Sequence, residues 1–188
     1  MVSRARPAWS QALLSELDDS DRRAELLARD LSREQLNWRP TPVAWSVGQC
    51  LSHLLAANTI YLPAISAALE GQQPSPVQQL VLGRFSRWFI RNYIGPSNGK
   101  RARAPKKIQP AVHTEPAILE AFLRSNVAAR ELVTKAADYD VNRIRFRNPF
   151  VPLLRFTVGT GLEIVSKHQM RHLLQGERVR QSLEFPER

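Results

Sequence analysis

The chain has 188 residues, of which 43% are hydrophobic and 7% aromatic, with a net charge of +10. That apolar content excludes a mainly disordered chain. Four His and one Cys exclude a zinc-ribbon fold and an internal disulfide, and leave room for at most one small metal site.

In chain order, the apolar spacing of Trp9, Leu13, Leu14, Leu17, Ala24 and Leu27 predicts a first helix over residues 9–28. The run Asp18, Asp19, Ser20, Asp21 weakens its middle, where a kink is expected. Ser32 and Gln35 form a capping-box pattern for a short helical turn ending near Trp38. Ser46 and Gln49 form a second one. It opens a strong helix from Val47 to about Leu69, which Pro63 is expected to kink or divide. Gly71, Pro74 and Pro76 close it.

A further helix is predicted over Val77–Tyr93, with aromatic residues interleaved with Arg84, Arg87 and Arg91. Residues 95–109 read as a basic loop. Pro116 starts the next helix, with Phe122, Ala129 and Val133 on one stripe. Residues 138–159 read as irregular; Arg143–Arg147 alternates, but over only five residues. A last helix runs from about Gly161 to Leu183. The expected fold is all-α, a single 1–188 domain built as a four-helix bundle. A long helix-containing crossover joins main helices 2 and 3 and carries a basic insertion at about 77–109. No hydrophobic signal segment follows the basic N-terminus and no run of 18 apolar residues occurs, so a cytoplasmic location is expected.

Charge is unevenly placed. No acidic residue occurs between Glu70 and Glu115, while Arg84, Arg87, Arg91, Lys100, Arg101, Arg103, Lys106 and Lys107 do. The basic-aromatic helix 84–93 could engage an anionic membrane or nucleic acid, or cover the bundle with its Arg in solvent. A second functional reading is that its cations recruit an anionic substrate or a charged thiol to the pocket mouth. Its aromatic residues near Trp88 would suit a homodimer.

His168 and His172 are four apart on one helix, a spacing that can present two imidazoles to one ion. His53 lies about two turns into the helix opened by Ser46. Together they would make a three-His site with open coordination positions. The spacing alone also permits structural, hydrogen-bonded or partly exposed histidines, although burying them unpaired would be costly.

Leu36-Asn-Trp-Arg-Pro40, then Ala44-Trp-Ser-Val-Gly-Gln49, then His53-Leu, resembles the first signature of the DinB/YfiT-like superfamily. Lys167-His-Gln-Met-Arg-His-Leu-Leu-Gln175 is similar to its second. The resemblance implies a four-helix bundle and a divalent metal (Zn, Ni or Fe) held by His53, His168 and His172. It also implies an enzyme acting on a small-molecule substrate, either a transferase using a low-molecular-weight thiol or a hydrolase using water. No carboxylate falls on the His faces, so no general base is visible and the catalytic residues are unassigned; this tilts the reading towards thiol. Gln175 is a candidate to orient a His or touch a ligand, and Asn126 a candidate to reach the pocket. Arg171 is structural or binds a substrate carboxylate. Cys50 is a conceivable fourth ligand, and Trp38 and Trp45 are expected to seal the bundle end.

Overall fold

The computed structural model describes residues 6–96 and 104–187, so Lys100, Arg101 and Arg103 of the basic loop lie outside the described residues. Its elements are α1 (Ala8–Ala28), α2 (Arg33–Asn37), α3 (Val47–Leu69), α4 (Arg84–Phe89) and α5 (Ile118–Ala136), then β1 (Arg145–Arg147), β2 (Arg155–Thr157) and α6 (Val158–Arg180). A π turn, Ile90–Ile94, continues α4, and Lys106–Ile108 form a 3₁₀ turn. The main helices α1, α3, α5 and α6 form a four-helix bundle. In it α3 and α1 each pack between α5 and α6 and lie diagonally opposite one another. The long crossover leads from α3 to α5.

Local chemistry explains the helix starts. Both capping boxes form: Ser32 Oγ accepts from Gln35 N, and Ser46 Oγ from Gln49 N, while each glutamine side chain accepts from its cap residue's N–H. The acidic run leaves α1 unbroken, because Ser20 Oγ donates back to the Glu16 carbonyl and Asp21 is paired with Arg130 of α5 at 2.7 Å. Pro63 likewise leaves α3 continuous. Pro63 and Thr59, one turn earlier, are both exposed, so the carbonyl that loses its helical partner faces water. Among the described helices α3 is long and apolar enough to cross a membrane, and here its apolar residues build the bundle core.

Three expectations are corrected. The helix expected over Val77–Tyr93 begins only at Arg84. Residues 77–81 are held out of a helix by side chains: Trp9 Nε1 donates to the Val77 carbonyl, and Asn142 accepts from Val81 N and donates to the Gln79 carbonyl. The segment expected to be irregular contains an antiparallel pair, β1 with β2, in which Phe146 faces Phe156 and both side chains are buried. Each strand has three residues, too few for alternation to be decisive. The last helix starts at Val158, three residues early, because Thr157 Oγ1 caps it by accepting from Thr160 N.

The buried apolar residues fall into two clusters. One gathers Leu13, Leu17, Tyr61, Ile65, Val133 and Leu162; the other gathers Leu27, Leu51, Leu54, Phe122 and Leu173. Between them lies a polar layer with one side chain from each main helix. Asn126 of α5 and Gln169 of α6 exchange amide hydrogen bonds at 2.7 and 3.2 Å. Asn58 of α3 donates to Asn126 Oδ1 at 3.1 Å, and Asn126 Nδ2 donates to Asp21 of α1 at 2.6 Å. Asn126 and Gln169 are fully buried, so every unmade bond here would carry a desolvation cost. Asn126→Leu strands the Gln169 amide and one Asp21 contact. It is expected to cost about 2–3 kcal/mol in urea denaturation; unchanged stability would show that the layer does not hold the bundle.

Candidate metal centre

The polar layer sets the axial register of α3 against α6, and next to it the three histidines meet. His53 comes from the second turn of α3, and His168 and His172 from one face of α6. Their donor nitrogens all lie within 4.8 Å of one another. His53 Nε2 and His168 Nε2 are 3.1 Å apart, and the ring centroids are separated by 4.5–4.9 Å. Zn–N bonds of about 2.0–2.1 Å in a tetrahedral shell put ligand nitrogens about 3.3 Å apart, so this donor set fits one divalent ion after small adjustments.

Proton placement also fits. His53 Nδ1 lies 2.6 Å from the Ile108 carbonyl, which can only accept, so Nδ1 carries the hydrogen and Nε2 is bare. His172 Nδ1 lies 3.0 Å from Gln175 Oε1, which fixes the same tautomer. Both rings thereby aim a lone pair inward, the usual consequence of a hydrogen-bonded outer partner. His168 Nε2 lies 3.1 Å from the bare His53 Nε2, and to hold an ion it would have to be the unprotonated nitrogen of its ring. Burial is the main reason all three imidazoles resist protonation. It pushes His172 down to about 3 with help from the His53 and Arg171 charges, and it holds His168 well below the ordinary range and His53 below it. At neutral pH the cluster is three neutral imidazoles.

The Ile108 carbonyl reaches His53 because the end of the crossover is strapped across the start of α3. Ala111 N donates to Ser52 Oγ, Gln49 Nε2 donates to the Ala111 carbonyl, and Asn37 bonds both the N–H and the carbonyl of Thr114. Gly48 makes the close approach possible, since a Cβ there would sit 1.9 Å from Thr114 Oγ1. Trp45 lies against His172 (5.4 Å, 27°) and His53 (4.8 Å), and so covers the histidines, whereas Trp38 meets Phe185 edge-on at the bundle end.

A cavity of about 350 Å³ opens from the three histidines. α3 and α6 form its floor, through His53, Ala57 and Tyr61 on one side and Ile164, His168 and His172 on the other. Phe89, Tyr93 and Ile94 of α4 and its π turn cover it, and Ala104, Pro105 and Ile108 of the crossover complete the lining. Arg171 is in the lining and donates to the carbonyls of Tyr93 and Gly95, tying the cover to α6. Gln175 stands behind His172. Asn126 is placed differently from the expectation that it reaches the pocket: it is consumed by the polar layer and is not part of the lining, where its neighbour Asn58 stands instead. His113 is exposed on a loop outside the cluster. No Asp or Glu lines the cavity among the described residues.

Sequence reasoning assigned no site role to the Ile108 carbonyl, Tyr61 or the tip 148–151. Asn148 Oδ1 accepts from the N–H groups of Phe150 and Val151, a local turn that presents both residues to the cavity. The Asn-Pro step at 148–149 was the available signal.

An α-helical bundle with a three-histidine centre on its second and last main helices is the class that this fold and cluster define. A family model for the DinB superfamily matches residues 16–175, and the chain belongs to that superfamily. Its fold is similar to that of YfiT from Bacillus subtilis, described as a probable metal-dependent hydrolase with an unusual four-helix bundle topology. The TM-score is 0.64 at 12% identity, over 99% of this chain and 94% of that one. No curated protein matches significantly.

Cys50 shares the helix of His53 but stands outside the cluster, fully buried, with its thiol pushed up to about 12 by burial. It is expected to react with a disulfide reagent at least about a hundredfold more slowly in folded than in urea-unfolded protein. A fast reaction in the native state, followed at 412 nm, would contradict this placement.

Proposed function

We propose that the protein is a metal-dependent enzyme in which His53, His168 and His172 hold a divalent cation, Zn, Ni or Fe, to activate a low-molecular-weight thiol or water against a small-molecule substrate. The carrying observation is the convergence of three neutral imidazoles at the head of a cavity, with two tautomers already held for ligation. YfiT's description as a probable metal-dependent hydrolase supports the metal part of this reading. A bound divalent cation supplies the charge that lowers the pKa of a thiol or water in its open position.

The protein's own groups do the rest. The Ile108 carbonyl and Gln175 orient His53 and His172. Trp45 and the apolar walls exclude water, which strengthens the electrostatics inside. Arg171 holds the cover in place. With no carboxylate in the described lining, no side chain stands ready as a general base. That favours the thiol, whose proton departs on coordination, and makes S-transfer the preferred reaction over hydrolysis.

A second reading has its own observation. Phe85, Trp88 and Tyr93 are each about half exposed beside exposed Arg84, Arg87 and Arg91. The outer face of this helix could engage an anionic membrane or nucleic acid, and sedimentation with anionic vesicles and retention on DNA report on it.

Elemental analysis of purified protein is expected to find close to one equivalent of Zn, Ni or Fe, lost in His172→Ala. Gln175→Ala should weaken metal affinity by about tenfold. Metal-reconstituted protein, screened with a panel of small thiols and a chromogenic electrophile, should turn over only with a thiol present. Turnover of an ester without thiol would select the hydrolase, and a wild-type protein that cannot be loaded with metal would end the proposal.

A further inference from the structure

The segment that covers the cavity has two sides. Phe89 and Ile94 line the cavity, and Ser86 accepts a hydrogen bond from Thr160 of α6 at 3.1 Å, so this side of α4 and its π turn faces the bundle. On the outer side Arg84, Arg87 and Arg91 recur at three and four residues and form one exposed stripe. Phe85 and Trp88, three apart, form the stripe beside it and are 50% and 45% exposed. Phe85 is held by stacking on Phe156 (6.1 Å, 16°), and Trp88 meets Tyr93 edge-on at 5.5 Å. The charge around these rings has one sign. Among the described residues Arg84, Arg87 and Arg91 form no ion pair. The chain has no acidic residue between Glu70 and Glu115, so the undescribed part of that stretch adds only Lys100, Arg101 and Arg103 to the same sign.

We propose that the outer face of α4 docks the protein on an anionic membrane surface, with Arg84, Arg87 and Arg91 at lipid phosphates and Phe85 and Trp88 inserted among the headgroups. This deepens the second reading above by naming its partner, rests on that reading, and does not depend on the metal. A second copy of the chain fits this face poorly, because the cationic stripe would meet itself. Nucleic acid would use the charges but not the rings. Phe85, Trp88 and Tyr93 lie tilted or edge-on against one another at 5.5–5.8 Å and leave no gap between them for a base. An anionic bilayer uses both stripes: its phosphates attract guanidinium groups, and its interfacial zone favours indole and phenyl rings. A bilayer docked there lies one helix diameter, about 10 Å, from the cavity.

The test is sedimentation with vesicles made of equal parts phosphatidylglycerol and phosphatidylcholine, or of phosphatidylcholine alone. Wild type binds the first and not the second, and brominated acyl chains in the anionic vesicles quench its tryptophan emission. The triple variant Arg84→Glu/Arg87→Glu/Arg91→Glu loses at least about a hundredfold in affinity, since each cation at an anionic leaflet is worth about a factor of five. Arg39→Glu/Arg124→Glu/Lys135→Glu has the same net charge but alters cations beside α2 and on α5, and loses less than about fivefold. Trp88→Phe binds within about threefold of wild type, because the ring is kept apolar, and loses the quenching. All these positions are exposed, and unchanged melting temperatures show that the variants fold. Equal losses in the two triple variants, equal binding to phosphatidylcholine alone, or anionic binding without quenching overturns the proposal. Retention on DNA without vesicle binding overturns it and leaves the second reading standing with nucleic acid as partner; binding to neither removes both.

Discussion

The four-way hydrogen-bonded layer of Asp21, Asn58, Asn126 and Gln169 is the constraint on which the site depends. Apolar packing alone tolerates small slides of one helix along another, because one leucine contact substitutes for the next. A buried amide pair does not. Sliding α6 by one turn past α5 would break both Asn126–Gln169 bonds and leave the carbonyl and the amino group of Gln169 unpaired in a dry interior. The layer therefore favours one register, at the level where metal ligation would be sensitive to displacements of an ångström. His168 flanks Gln169 directly, and His53 lies five residues before Asn58.

Much of this was legible in local patterns. Ser46 and Gln49 announce the start of α3, and their spacing is a local property of the chain. The i, i+4 pair His168 and His172 declares one shared face wherever α6 packs. The apolar surroundings of His53 indicate that it points inward. The four-helix bundle and its long crossover follow from element lengths and order. What stayed hidden depends on partners distant in sequence. Residues 77–81 carry a helical apolar pattern, but Asn142 and Trp9 take their backbone groups, and nothing near residue 80 reveals those competitors. The strands at Phe146 and Phe156 stabilise each other, and neither is long enough to be recognised alone. Asn126 lies on the expected inward stripe; its hydrogen-bond partners on three other helices decide that it serves the core and leaves the cavity to Asn58.

The crossover completes the site rather than merely linking helices. Its α4 segment covers the cavity, its last stretch delivers the Ile108 carbonyl, and the loop after β1 contributes Phe150. The bundle core supplies the imidazoles, while the connections shape the space beside them. That division suits a scaffold whose centre is kept while its specificity varies, because loops accept change more readily than a packed interior.

The contact from His53 to the Ile108 carbonyl has a genetic consequence. A main-chain oxygen is present whatever side chain occupies the position, so substitutions at residue 108 leave the acceptor itself intact. Insertions or deletions between residues 104 and 114 would instead shift the strap and carry the oxygen out of reach. The ring is therefore buffered against point changes in its outer partner and vulnerable to changes in the length of the segment that brings it.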